Sequence, residues 1–263
     1  MKKSVILVAV FTFVILLTVP AWAQNQDTQG AVQSIGACTV MDKPGSYALT
    51  RNITARQSDL KHIGNDSACI LILADFVSLD LRGYTITGPG TGDHDGYGIM
   101  ITTNAGGKSP IAAYVRNGCI TNFNRGFDVD EDPVAGGLGH TVEGVRVAGN
   151  WAGIFLNGVG VRVKDVVAVS NGVGMYLWSG YGHSVEHCQV HSSGGEGIAM
   201  RWECYGSRIV GNTVSGNGTY GIYAQCPSLI LQNMAFQNGW GDVVVLGSSC
   251  TTSDNNPAPV LGP

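Results

Sequence analysis

The chain has 263 residues, 38 of them glycine, with only 13% charged residues and a formal net charge of −4. That composition suits many tight turns and stacked uncharged ladders better than a helical protein. With no basic run and no recognition-helix pattern, it excludes a nucleic-acid-binding module.

Taken in order, the chain opens with Lys2 and Lys3, an apolar run from Val5 to Val19, and Ala21-Trp22-Ala23 before Gln24. This reads as a signal peptide over 1–23, cut after Ala23, and hence as a secreted protein, extracellular or periplasmic. The apolar run is short for a span and no basic stop-transfer cluster follows, so no membrane attachment is expected after cleavage. Loss of Lys2 and Lys3 leaves 13 basic against 19 acidic residues, a net charge of −6. Residues 24–68 form an N-terminal segment and cap: 24–37 are polar and small, Pro44-Gly45 makes a turn, and Tyr47 to Leu49 a short strand. A cap is needed because a first coil would otherwise expose an apolar face and an unpaired edge.

From Cys69 to Gly90, CILILADFVSLDLRGYTITGPG alternates apolar and polar residues and is broken at Gly83. A second early coil, AYVRNGCITNFNRGFDV, follows, then an acidic glycine-rich loop over 128–139. From His140 to Cys250 the chain repeats itself, each unit carrying two alternating strands around a small polar turn and a glycine. That glycine recurs at Gly153, Gly174, Gly197 and Gly221, with Asp242 in the last copy, in steps of 21, 23, 24 and 21 residues. Units of this length with period-2 alternation cannot bury their own apolar faces and must stack as a solenoid. The repeats are placed at 69–250, and 251–263 read as a polar C-terminal tail.

The VSLDLRGYTITG segment together with the repeats resembles the right-handed parallel β-helix proteins with the pectate-lyase-like fold. The resemblance implies an all-β, right-handed parallel β-helix over about 38–250. It does not select a member, since the group includes pectate lyases, polygalacturonases, polysaccharide epimerases, phage tailspikes and proteins of no known activity. Against the Tyr-Gly-Phe-Asp-Pro-His motif of mannuronan epimerases only Gly126, Phe127 and Asp128 match; Arg125 stands for the Tyr and Val129-Asp130 for the Pro-His. The pectate-lyase Arg-x-Pro-x-x-Arg motif and the polygalacturonase signatures are absent.

Stacked parallel strands set equivalent residues about 4.8 Å apart, so the repeat predicts columns. Two point inward and are wholly apolar: Ile99, Phe127, Ile154, Met175, Ile198, Ile222, Val243, and, two residues on, Ile101, Val129, Leu156, Leu177, Met200, Ala224, Val245. Between them lie two outward columns, Met100, Asp128, Phe155, Tyr176, Ala199, Tyr223, Val244 and Thr102, Asp130, Asn157, Trp178, Arg201, Gln225, Leu246. An exposed strip bearing Phe155, Asn157, Tyr176, Trp178 and Tyr223 beside Asp128, Asp130 and Arg201 has the chemistry of a sugar platform: aromatic faces stack on pyranose rings, and polar groups bond the hydroxyls. The same aromatics would serve equally to stack along the ladder. Glu143, Lys164 and Glu186 form a charge ladder. Asn171, Asn217 and Asn238, and separately Asn212 and Asn233, form amide ladders.

The acidic cluster offers two chemistries. Asp128 and Asp130 would be the catalytic carboxylates of glycoside chemistry, with Arg201 neutralising a uronate. Alternatively Asp93, Asp95, Asp128, Glu131 and Asp132, from loops of adjacent coils, would suit a hard cation such as Ca²⁺; a solvated acidic loop with no cofactor is the plain alternative. The seven cysteines of an exported chain favour disulfides and leave at least one thiol free. Cys38–Cys69 and Cys226–Cys250 would clip the two ends of the solenoid, with Cys204 competing for Cys226, while Cys119 and Cys188 sit mid-strand as buried thiols. Function stays open between a polysaccharide lyase, epimerase or hydrolase and a non-catalytic surface or matrix protein that binds polysaccharide or serves as a spacer. No oligomeric state is specified.

Overall fold

The computed structural model describes residues 31–92, 96–131, 139–201 and 204–262. Two compact units are delimited, Met1–Ala31 and Val32–Pro263. All of the first but Ala31 lies outside the described residues, including the signal peptide expected over 1–23, so the architecture is that of the second.

It is a parallel β-solenoid with essentially no helix, as the repeat implies. Among the described residues two sheets wind around one core, one of 16 strands and one of 11. The 11-stranded sheet stacks Thr39–Met41, Asp66–Ile72, Tyr97–Thr102, Arg125–Asp130, Ala152–Val159, Val173–Tyr181, Ile198–Met200, Tyr220–Gln225, Gly241–Leu246 and Val260–Leu261 in that order. Pairing therefore extends beyond 250: Thr251–Ser253 pairs with Leu229–Leu231, and Val260–Leu261 with Gly241–Leu246.

The first inward column stacks in the predicted register throughout, the second does so from Ile101 to Met200 and again from Ala224 to Val245, and both are buried, none above 5% exposure. The glycine column exists for want of room rather than for backbone conformation. A Cβ on Gly174 would lie 2.4 Å from the carbonyl oxygen of Gly197 in the next coil and 2.4 Å from Val190 Cγ1. Each coil turns at single left-handed residues. Asn117, Gly144, Asp165, His187, Gly211, Gln232 and Asp254 have positive φ at one corner; Asn122, Gly149, Ser170, Ser192, Gly216 and Gln237 do so at the other.

Asparagine ladders satisfy the buried backbone between the corners. Asn212 accepts from the Cys188 N–H (2.8 Å) and donates to the Val185 carbonyl (2.9 Å) and to Asn233 Oδ1 (3.0 Å). Asn233 continues to Asn255, while Asn150 bonds Asn171 and Asn217 bonds Asn238. The charge ladder is only half made. Lys164 bonds Glu143 (2.7 Å), but Glu186 turns to Arg162 (2.7 Å). Both expected disulfides are present, Cys38–Cys69 and Cys226–Cys250. Cys188 and Cys204 are buried thiols, whereas Cys119, expected to be buried, is half-exposed.

Candidate functional site

The outer face of the 11-stranded sheet carries the predicted strip. The first outward column holds its register throughout: Met100, Asp128, Phe155, Tyr176, Ala199, Tyr223 and Val244 are cross-strand partners in sequence. The second holds from Thr102 through Asp130 to Asn157 and again from Gln225 to Leu246. It slips once. Asn157 pairs with Ser179 instead of Trp178, because Trp178 is the extra residue of a bulge. A bulge bends a strand and re-aims the side chain it inserts, and Trp178 stands 37% exposed.

One continuous exposed strip was expected, and here the structure departs from the sequence reading. Asp128 is fully buried and Phe155 nearly so. Arg125 covers them, its guanidinium 3.5 Å from the Phe155 ring centre and 5.1 Å from that of Tyr97, with Nη1 donating to Asp128 Oδ1 at 2.9 Å. The second carboxylate oxygen of Asp128 has no partner. Burial pushes the Asp128 carboxyl up to about 7, against the opposing pull of the Arg125 charge. Burial likewise raises the phenol of Tyr97, which donates to Asp66 at 2.9 Å. Asp130 is half-buried and accepts from the Asn157 amide at 2.8 Å.

Of the five residues considered for a cation, Asp93, Asp95 and Asp132 lie outside the described residues. The other two are engaged elsewhere: Asp128 with Arg125, and buried Glu131 with His140, whose Nε2 is 3.1 Å from Glu131 Oε2. His140 Nδ1 accepts the Ala113 N–H at 3.1 Å, so the neutral ring carries its proton on Nε2 and donates it to Glu131. Among the described residues no three His, Cys, Asp or Glu side chains group at metal-holding distance.

Two coils further on the strip is open. Tyr176, Trp178, Met200, Arg201, Tyr223, Gln225 and Leu246 line a shallow pocket of about 320 Å³. The Phe155, Tyr176 and Trp178 rings contact one another at 5.5 to 6.2 Å. Across the pocket Tyr223 stacks on Tyr220 at 5.0 Å, and Tyr220 meets Trp240 edge-on at 5.6 Å. Arg201 lies over the Tyr223 ring at 4.5 Å and bonds Glu196. A larger, more polar hollow of about 470 Å³ sits coils away beside Cys38, lined by Arg51, Asn52, Asp59 and Lys61 among others, with no aromatic ring.

Tyr97, Arg125, Glu196 and Tyr220 were not singled out from the sequence. All four sit immediately before the glycine column and form a third outward column, legible in the same repeat alignment. Trp240 is a turn residue 71% exposed, at the repeat position that Trp151 takes before Gly153.

Known proteins match this geometry at the level of fold. A family model described as right handed beta helix region matches residues 134–257. The mannuronan C-5 epimerase AlgE4 A-module of Azotobacter vinelandii superposes with a TM-score of 0.58 at 14% identity, over 84% of this chain and 65% of that one. A mutant of the periplasmic alginate epimerase AlgG gives 0.54 at 16% identity, over 83% of this chain and 59% of that one. The chain thus spans about three fifths of the length of these structures. No curated protein matches it. The described chain is therefore a right-handed parallel β-helix, the fold it shares with these two epimerases.

Proposed function

We propose that this is an exported polysaccharide-binding β-helix, with the ligand lying across the open half of the strip over Tyr176, Trp178 and Tyr223. One observation carries the reading: a solvent-open pocket on a rigid sheet face whose walls are aromatic rings flanked by an amide and a guanidinium. Rings of this kind stack on the apolar face of a pyranose, and Gln225 and Arg201 bond its hydroxyls. From Tyr176 to Leu246 the site spans three strand steps, roughly 14 Å, which is room for a short stretch of polysaccharide. The two disulfides support an oxidising compartment.

The proposal is for binding, not turnover. Asp128 and Asp130 lie two strand steps from Tyr176, and Asp128 is shut away from solvent beneath Arg125. Trp178→Ala, measured by calorimetry against a panel of soluble polysaccharides, should weaken binding by about 1 kcal/mol or more, through loss of one stacking face. An affinity unchanged by Trp178→Ala and by Tyr223→Ala would remove the platform.

A further inference from the structure

We propose that Tyr220 and Trp240 form a second sugar subsite outside the pocket, so that the site takes an internal stretch of an extended polysaccharide running obliquely across the sheet, an arrangement that rests on the binding reading above. The pocket ends at Tyr223, but the aromatic surface does not. Tyr223 stacks on Tyr220 with ring centres 5.0 Å apart, and Tyr220 meets Trp240 at 5.6 Å with the rings 84° apart. Trp240 is 71% exposed, so at least one face of its indole lies open to solvent.

Exposure alone would say little, since single apolar side chains on a surface are ordinary. Trp151, at the equivalent position of an earlier coil and 42% exposed, touches no other ring among the described residues. Trp240 differs in two respects. It is joined ring to ring with the pocket, and its turn is fixed by the neighbouring coil. The Trp240 N–H donates to the Thr219 carbonyl at 2.9 Å, the Gly239 N–H to the Asn217 carbonyl at 3.0 Å, and Asn238 Nδ2 to Asp242 at 2.8 Å. A platform already held in place loses little freedom when a sugar settles on it. The order of the rings sets the direction. Trp178 lies late on its strand, Tyr223 and Tyr220 lie progressively earlier on Tyr220–Gln225, and Trp240 precedes the start of Gly241–Leu246. From Trp178 to Trp240 the path crosses three strand steps, roughly 14 Å, and runs back about six residues along the strands, roughly 20 Å. That is more than a disaccharide covers, and it suits an extended chain whose ends lie outside the pocket.

The test is calorimetric titration of the full chain with β-1,4-linked gluco-, manno- and xylo-oligosaccharides and with oligomannuronate, each from disaccharide to hexasaccharide. The best-bound hexasaccharide should bind about tenfold or more tighter than its own disaccharide. Trp240→Ala should weaken the hexasaccharide about fivefold and leave the disaccharide within about twofold, while Trp240→Phe, which keeps a ring, should recover most of the loss. Trp151→Ala, away from the path, should change neither. If Trp240→Ala fails to fold, judged by its circular dichroism, Tyr220→Leu should show the same length-dependent loss. A wild type that binds disaccharide and hexasaccharide alike, or a hexasaccharide affinity untouched by Trp240→Ala, overturns the second subsite even where Trp178→Ala still weakens binding. Absence of binding by every ligand, by contrast, removes the platform and the second subsite together.

Discussion

Asn212→Ala tests the internal ladder on which the whole stack depends. Asn212 is 1% exposed, so water cannot replace what its side chain supplies. The substitution removes the acceptor of the Cys188 N–H and leaves that donor buried and unpaired, worth about 1–3 kcal/mol. It also removes the two bonds donated to Val185 and Asn233, at about 0.5–1.5 kcal/mol each. The sum is about 2–6 kcal/mol, a large part of the stability of an ordinary domain. Asn255→Ala is the control. This residue ends the same ladder and is only half-buried, so water entering the vacated position can meet the groups it leaves on Asn233 and Ile230, and the loss should be smaller than for Asn212→Ala. Urea unfolding followed by far-ultraviolet circular dichroism separates the two. If Asn212→Ala and Asn255→Ala unfold at the same midpoint as the wild type, the ladder does not hold the coils together.

Two buried groups give opposed pH responses. The Asp128 carboxyl, raised by burial from 3.8 to about 7, holds a proton in the folded state that the unfolded chain releases, so this group's contribution to stability falls as pH rises from about 4 to 7. His183, lowered by burial from 6.5 to about 4, is protonated first in the unfolded chain, so its contribution rises with pH from about 4 to 6.5. Melting temperatures across that window should climb more steeply with pH in Asp128→Asn and fall more steeply in His183→Gln; parallel profiles for both variants and the wild type would contradict the assignment. Gly174→Ala should cost about 3 kcal/mol or more because the added Cβ meets a ladder carbonyl at 2.4 Å, while Gly194→Ala, whose nearest neighbour atom is 3.7 Å away, should unfold like the wild type.

The repeat alone determined the fold and most of the register. Period-2 alternation with a step near two dozen residues leaves stacking as the only way to bury both apolar columns, and every strand pairing recorded between the inward residues follows the spacing of the glycines. The asparagine ladders were legible in part: Asn212 bonds Asn233 and Asn217 bonds Asn238 as spaced, but Asn171 bonds Asn150, with Ser193 standing in the coil before Asn217, and Asn233 continues to Asn255. The Cys38–Cys69 pair followed from its position at the end of the stack, whereas the choice of Cys250 over Cys204 for Cys226 was made by the wound coils.

What the sequence did not contain is which parts of the outer face stay open. The corner residues are chemically unlike, among them Asn117, Asp165, His187 and Gln232. They share only a left-handed backbone, which is a property of the coil rather than of any side chain. Burial of Asp128 depends on Arg125 folding back over Phe155, a contact between adjacent strands that periodicity does not encode. The bulge that lifts Trp178 and the contacts that join Glu196 to Arg201, and Tyr220 to Trp240, are likewise tertiary. Period and spacing fix which residues share a column, because backbone hydrogen bonding sets the register. Whether a column is covered, and which of its charges are free, depends on side-chain packing across coils, and that is decided only when the chain is wound.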